Sequence, residues 1–285
     1  NGYDYRKAVE TQKNGPQDAL IRSHLEEYQK RGIRFVRDGG DHYGVSRRTA
    51  QLATEYGIDY RTPVFAIYKE GHYGKIVGKS FSDMKEYHRR VLEAAEEGAD
   101  FIKIMTTGLL DFEDHGKITG TPLSAAEVKE MVHIAHEEGF AVMSHTNGNY
   151  GVQAAVEAGV DSIEHANYMD EETLSMLADS KSVWVPTLVT VRNLMDCGRF
   201  ENEILSSIIR TGEENLKKAF RKKVHVAVGS DAGAFKVLHG KGVEDECRAF
   251  FDILGETPEV YAWMEEGEER IRTLFRHGSS NLIQV

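Results

Sequence analysis

A repeating strand-and-helix pattern predicts a TIM-type (β/α)8 barrel, and three observations carry that reading. Short apolar or β-branched runs recur along the 285 residues, each followed by a polar or glycine-containing loop and a stretch of helical spacing. Most of the runs are near-continuously apolar, as burial on both faces of a parallel sheet requires. Glycines stand just before the following run at Gly32, Gly57, Gly98, Gly139 and Gly159, where a residue tolerant of the left-handed conformation ends a helix.

The strands are expected at 33–37, 63–67, 101–105, 141–145, 161–164, 183–187 and 224–229. That is one short of a complete barrel, so the first strand is expected to be missing. Helices are expected at 81–97, 125–138, 152–158, 171–179 and 203–222, the second opened by a capping box between Ser124 and Glu127. The acidic stretch 244–269 reads as solvated helices. A doubly wound nucleotide-binding sheet is the alternative for such a repeat. It needs a glycine-rich phosphate turn, and only Asp38-Gly39-Gly40-Asp41 follows the first visible strand.

Composition narrows the function. A formal net charge of -11 disfavours a nucleic-acid surface, which needs clustered basic residues. The apolar fraction of 40% fits a large buried core, and no apolar run is long enough to span a bilayer. Cys197 and Cys247 form neither a disulfide framework nor a zinc motif, so a reducing cytoplasm is expected. Residues 1–10 lack the pattern of a signal peptide. No composition break divides the chain, and a single domain over 1–285 is expected.

Functional side chains of such a barrel gather at the C-terminal ends of its strands. The run Phe101-Ile102-Lys103-Ile104-Met105 centres a lysine among apolar residues, where an unpaired ammonium is costly. An ion pair inside the barrel, or an edge position, would account for it plainly. The next strands end in His145 and His165 and the last in Asp231. Singly, each is an ordinary capping or core residue; together, imidazoles and a carboxylate from separate strands suit a divalent metal. A Schiff-base lysine is the rival chemistry, but it needs neither the histidines nor the aspartate.

These residues resemble the amidohydrolase superfamily, in its imidazolonepropionase-like and prolidase-like branch. Gly98-Ala99-Asp100-Phe101-Ile102-Lys103-Ile104 is similar to the family's fourth strand, His145-Thr146-Asn147-Gly148 to the fifth and Asp161-Ser162-Ile163-Glu164-His165 to the sixth. Val185-Pro186-Thr187-Leu188 resembles the seventh-strand signature, and Gly229-Ser230-Asp231 the eighth-strand ligand. The family's first-strand His-x-His is absent, as is its small β-sandwich. Because Val36-Arg37-Asp38-Gly39-Gly40 resembles the second strand, that pair is expected before Asn1.

The resemblance implies two divalent ions, zinc foremost, held by Lys103, His145, His165 and Asp231, with Lys103 carboxylated by carbon dioxide. A bridging hydroxide would attack the substrate, and Asp231 would shuttle its proton to the leaving amine. Dipeptides or N-acyl amino acids are the implied small-molecule substrates. His72, Tyr168 and Arg192 are the candidate substrate-binding groups, with His239 and Glu244 as further pocket residues. A cyclic amide or lactone hydrolase using the same site, and an inactive ligand-binding barrel, remain as alternatives. Neither nucleic acid nor membrane is an expected partner, and a homo-oligomer is allowed.

Overall fold

The structure, a computed structural model, describes residues 10–277. The chain opens with α1 (Asp18–Lys30), β1 (Phe35–Arg37), α2 (Val45–Ala53), β2 (Asp59–Arg61), β3 (Ala66–Lys69) and β4 (Gly78–Phe81). A regular alternation follows: α3 (Met84–Glu96), β5 (Ile102–Met105), α4 (Ala125–Glu137), β6 (Val142–Thr146), α5 (Asn149–Ala158), β7 (Ser162–His165), α6 (Glu171–Ala178) and β8 (Val183–Val185). The short α7 (Val189–Arg192) and the long α8 (Asn202–Lys222), α9 (Lys241–Leu254) and α10 (Pro258–Leu274) complete the described chain. None of its helices is long and apolar enough to cross a membrane.

All pairing between strands is parallel. One sheet has the order β4-β3-β5-β6-β7-β8, and β1 pairs with β2 beside it. The expected strand at 63–67 is interrupted there, because Pro63 offers no N–H and Val64 takes φ +63. Pairing resumes on either side of the break as β2 and β3. At 224–229 the chain contributes only a parallel bridge from Val226 to Trp184. Its backbone nevertheless runs alongside β8, with Trp184 N donating to His225 O and Ala227 N to Trp184 O. The unexpected β4 occupies the start of the stretch read as helix 81–97, which begins instead at Met84 behind an Asp83 cap.

Alternation along the strands sorts side chains into two layers. Ile102, Ile104, Val142, Ile163, Trp184 and Val226 point outward into the main core shared with the helices. Phe101, Ala141, Met143, Val183, Val185 and Ala227 point inward, where Ile271 and Phe275 join them from the end of α10. This two-sided burial is what the continuous apolar runs require, and its geometry is that of a TIM-type barrel wall. Phe275 is fully buried edge-on to Phe101, 5.3 Å between centroids. Its burial contributes about 1.5–3 kcal/mol and closes the end of the interior remote from the functional face.

One buried ion pair spans that interior. Arg37 of β1 donates to Ser162 Oγ at 2.7 Å and to Glu164 Oε1 at 2.9 Å, both on β7. Its guanidinium lies 4.1 Å from the Phe275 ring centroid. The five helix-ending glycines all take positive φ, and the capping box at Ser124 and Glu127 forms with both of its hydrogen bonds.

Candidate active site

Lys103 sits in the middle of β5, in register with Ala66 on one side and Met143 on the other. Its side chain points inward and the residue is buried. Among the described residues it forms no ion pair, so the simplest explanation of a core lysine does not apply. The turn after β1 leaves room beside it: a β-carbon on Gly39 would lie 3.1 Å from Lys103 Nζ.

His145 occupies the next strand, two residues further toward the C-terminal face, in register with Met105. The ring is buried, and its Nε2 lies 3.0 Å from the Gly108 carbonyl oxygen. A carbonyl only accepts, so Nε2 carries the proton and Nδ1 keeps its lone pair. His165 ends β7 with φ +69. Its backbone is held by Trp184, whose Nε1 donates to the His165 carbonyl at 2.9 Å. Its Nδ1 lies 2.6 Å from Thr187 Oγ1, which leaves Nε2 without a partner among the described residues.

The two imidazole centroids are 4.8 Å apart in an edge-to-face arrangement. Burial foremost, then the neighbouring His165 and Lys103, hold the His145 imidazole down to about 3. Burial and Lys103 do the same to His165, also to about 3. Both rings are therefore neutral at physiological pH, the state in which imidazole binds metal. Asp231 follows the last barrel stretch with φ +53 and is open to solvent at the mouth of the barrel. Protein crowding its carboxyl still raises it above the usual range, against the pull of Lys103 and His145. The same couplings tie all four groups into one electrostatic cluster.

Two neutral imidazoles, each with one nitrogen engaged and the other spare, fit a divalent metal, as does a lysine with space at its tip. The set is not a finished cage. Among the described residues no group of three or more His, Cys, Asp and Glu is arranged to hold an ion.

The remaining expected residues disperse around this centre. His72, in the loop between β3 and β4, has its Nδ1 2.9 Å from Thr121 O. Its neighbour Tyr73 reaches the site instead, its ring 5.0 Å from that of His145. Tyr168 packs edge-on against His115 at 5.1 Å in an apolar cluster with Leu110 and Val191. Arg192 is engaged by Glu213 at 3.3 Å and Asp252 at 3.1 Å. His239 stacks on His24 at 4.0 Å and meets Tyr28 Oη through Nδ1 at 3.1 Å. Glu244 is exposed and pairs with Arg31 at 3.2 Å.

Sequence reasoning missed Tyr73, Thr187, the Gly108 carbonyl and Glu246. The last belongs to the acidic stretch read as solvated, yet it is fully buried. Its spacing from Gly242, Ala249 and Phe250 on the buried face of α9 is the signal that could have found it.

The amidohydrolase family model matches residues 17–262, and the chain belongs to that family. Ochratoxinase of Aspergillus niger is 30% identical over 154 residues, 52% of this chain and 32% of that protein. An uncharacterized protein of Mycobacterium bovis is 25% identical over 174 residues, 59% of this chain and 45% of its own length. The chain thus aligns with less than half the length of these curated relatives. Among solved structures, a Xaa-Pro dipeptidase with methionine in its active site superposes with TM-score 0.72 at 23% identity, covering 92% of this chain and 70% of that one. A. niger ochratoxinase superposes with TM-score 0.73 at 20% identity, covering 92% and 64% respectively. These likenesses establish a common fold.

Proposed function

We propose that the protein is a metal-dependent hydrolase of amide bonds in dipeptides or N-acyl amino acids. The observation that carries this reading is the pair of neutral imidazoles, His145 and His165, facing Lys103 and Asp231 with one nitrogen of each ring tied back to the protein. Family membership supports the amide chemistry. A prolidase complexed with N-methylphosphonate-L-proline, alike in fold at TM-score 0.66, and the dipeptidase holding methionine support an amino-acid-sized substrate.

Lys103, His145, His165 and Asp231 would hold the metal, zinc being favoured by the imidazole and carboxylate donors. Bound there, divalent ions supply Lewis acidity and a water deprotonated near neutral pH. Carboxylation of Lys103 joins its unprotonated amine to carbon dioxide and releases one proton, leaving an anionic ligand where the amine stood. Gly39, which has no side chain, lies beside that amine, its β-carbon position 3.1 Å from Lys103 Nζ. Asp231 accepts the proton of the attacking water and returns it to the departing nitrogen. His72 and Tyr168, on loops flanking the site, are the proposed binders of the substrate carboxylate. Arg192 and His239 are already engaged by protein partners and receive no role.

Metal analysis combined with a hydrolysis screen of dipeptides and N-acyl amino acids tests this function. Roughly two equivalents of metal, falling in Lys103→Ala together with turnover, are expected for a bridged site. A protein that takes up no metal and cleaves no amide overturns the reading.

A further inference from the structure

Glu246 is the only acidic residue of α9 that is fully buried, and no basic side chain is paired with it among the described residues. Its two carboxyl oxygens are used separately. Oε1 accepts from Leu188 N and Oε2 from Val189 N, each at 2.9 Å. These amides open α7 and have no carbonyl partner within that helix, so the carboxyl group satisfies donors that would otherwise be orphaned. Such a group is costly to bury, and apolar packing alone would not favour it at this place.

The amides follow directly on Thr187, which is buried with φ +50, a conformation that a β-branched residue resists. Thr187 Oγ1 is the atom that meets His165 Nδ1. A chain of contacts therefore runs from Glu246 through the 187–189 turn to the His165 ring. One turn earlier on the same face of α9, Gly242 presses against the last barrel stretch. A β-carbon there would lie 3.1 Å from Ser230 Cβ and 2.6 Å from Val237 Cγ1, and Ser230 immediately precedes Asp231. Residues four apart on a helix share a face, so a single helix touches the supports of both His165 and Asp231.

We propose that Glu246 is a positioning residue for the site. By gripping the Leu188 and Val189 amides it fixes the turn that aims Thr187 at His165, and with Gly242 it makes α9 the common brace of His165 and Asp231. The hydroxyl could serve either tautomer; holding the ring still against it aims Nε2 into the site, and the tautomer with Nδ1 protonated is the one that places a lone pair there. Its consequence for catalysis rests on the reading of His165 as a metal ligand, but the arrangement itself does not.

The test uses protein labelled with ¹⁵N-histidine, free of metal, with the His165 signals identified by their loss in His165→Asn. The parent protein is expected to show one dominant His165 tautomer. Glu246→Gln leaves one amide facing an NH2 group, and Glu246→Asp lacks the reach, so both should shift His165 toward a tautomer mixture, as Thr187→Val does. Zinc affinity should fall about 10- to 100-fold in the same variants, as when an outer partner of a ligand is removed. Unchanged His165 signals beside a lowered melting temperature would reduce Glu246 to a structural residue and overturn the proposal. A mixed tautomer in the parent, or loss of folding in both Glu246 variants, would overturn it too. Because the imidazole signals need no turnover, a protein that hydrolyses nothing would defeat the proposed function and leave this result standing.

Discussion

His145 Nε2 and the Gly108 carbonyl oxygen lie 3.0 Å apart, and this one contact orients the most deeply placed imidazole of the site. The oxygen cannot donate, so the ring proton is fixed on Nε2 and the lone pair on Nδ1. Burial holds the ring's protonation down to about 3. In metal-free protein the His145 ring nitrogens should therefore keep one set of neutral-tautomer signals from pH 7 down to pH 5. Protonation of His145 within that range would show the ring to be solvated and the loop carrying Gly108 to be displaced.

A second prediction concerns the ion pair inside the barrel. Arg37 and Glu164 are both buried and bonded at 2.9 Å. Removing one partner strands a charge in the interior, which typically destabilises by about 3–5 kcal/mol. Arg37→Met alone should lower the unfolding free energy measured in urea by that amount. Combining it with Glu164→Leu should recover most of the loss, because an apolar pair of similar volume suits the cluster of Phe101 and Phe275. A double variant no more stable than Arg37→Met would show that the pair is not coupled.

Much of this arrangement was legible in the sequence. The strand ends at His145, His165 and Asp231 could be found because apolar runs stop there, and Lys103 because it breaks one. Supporting contacts were hidden for physical reasons. Gly108 acts through a backbone carbonyl, which leaves no trace in residue type, and Thr187 acts only because its φ of +50 turns the hydroxyl toward His165. Strand β4 was read as the start of a helix because Phe81 continues the apolar spacing of α3, and the Asp83 cap that separates them is one residue among several polar ones. Glu246 was concealed by its acidic neighbours, which are solvated as expected.

Stability should depend on pH in two opposed ways. Burial pushes the Glu246 carboxyl up to about 8 from an ordinary 4.5. The folded protein then holds a proton that the unfolded chain releases, so this contribution is full below pH 4.5 and lost as pH rises through 8. The imidazoles of His145, His165 and His239 are each held down to about 3 from 6.5. The unfolded chain binds those protons first, so their contribution is full above pH 6.5 and lost as pH falls toward 3. A stability maximum near neutrality follows. Urea midpoints should decline from pH 6.5 to pH 8.5 in the parent protein and stay nearly level in Glu246→Gln. An equal decline in both would assign the slope to other groups.

The last prediction turns on Gly39, the residue beside the lysine amine. Its φ is not in the left-handed region, so alanine meets no backbone penalty there. The added carbon would sit 3.1 Å from Lys103 Nζ, close enough to displace the end of a flexible side chain but not to break the fold. Gly39→Ala should therefore melt within a few degrees of the parent, since small changes at accommodating sites fall within about 1 kcal/mol. On the proposed reading, the carboxyl group on Nζ and the new carbon compete for the same space. Zinc uptake by the parent should rise when bicarbonate is supplied, and this rise should be lost or much reduced in Gly39→Ala. Lys103→Ala sets the floor, having no amine to carboxylate. If bicarbonate promotes zinc uptake equally in Gly39→Ala and the parent, the space beside Gly39 is not where the lysine is modified. If it promotes uptake in neither, Lys103 binds metal without carbon dioxide.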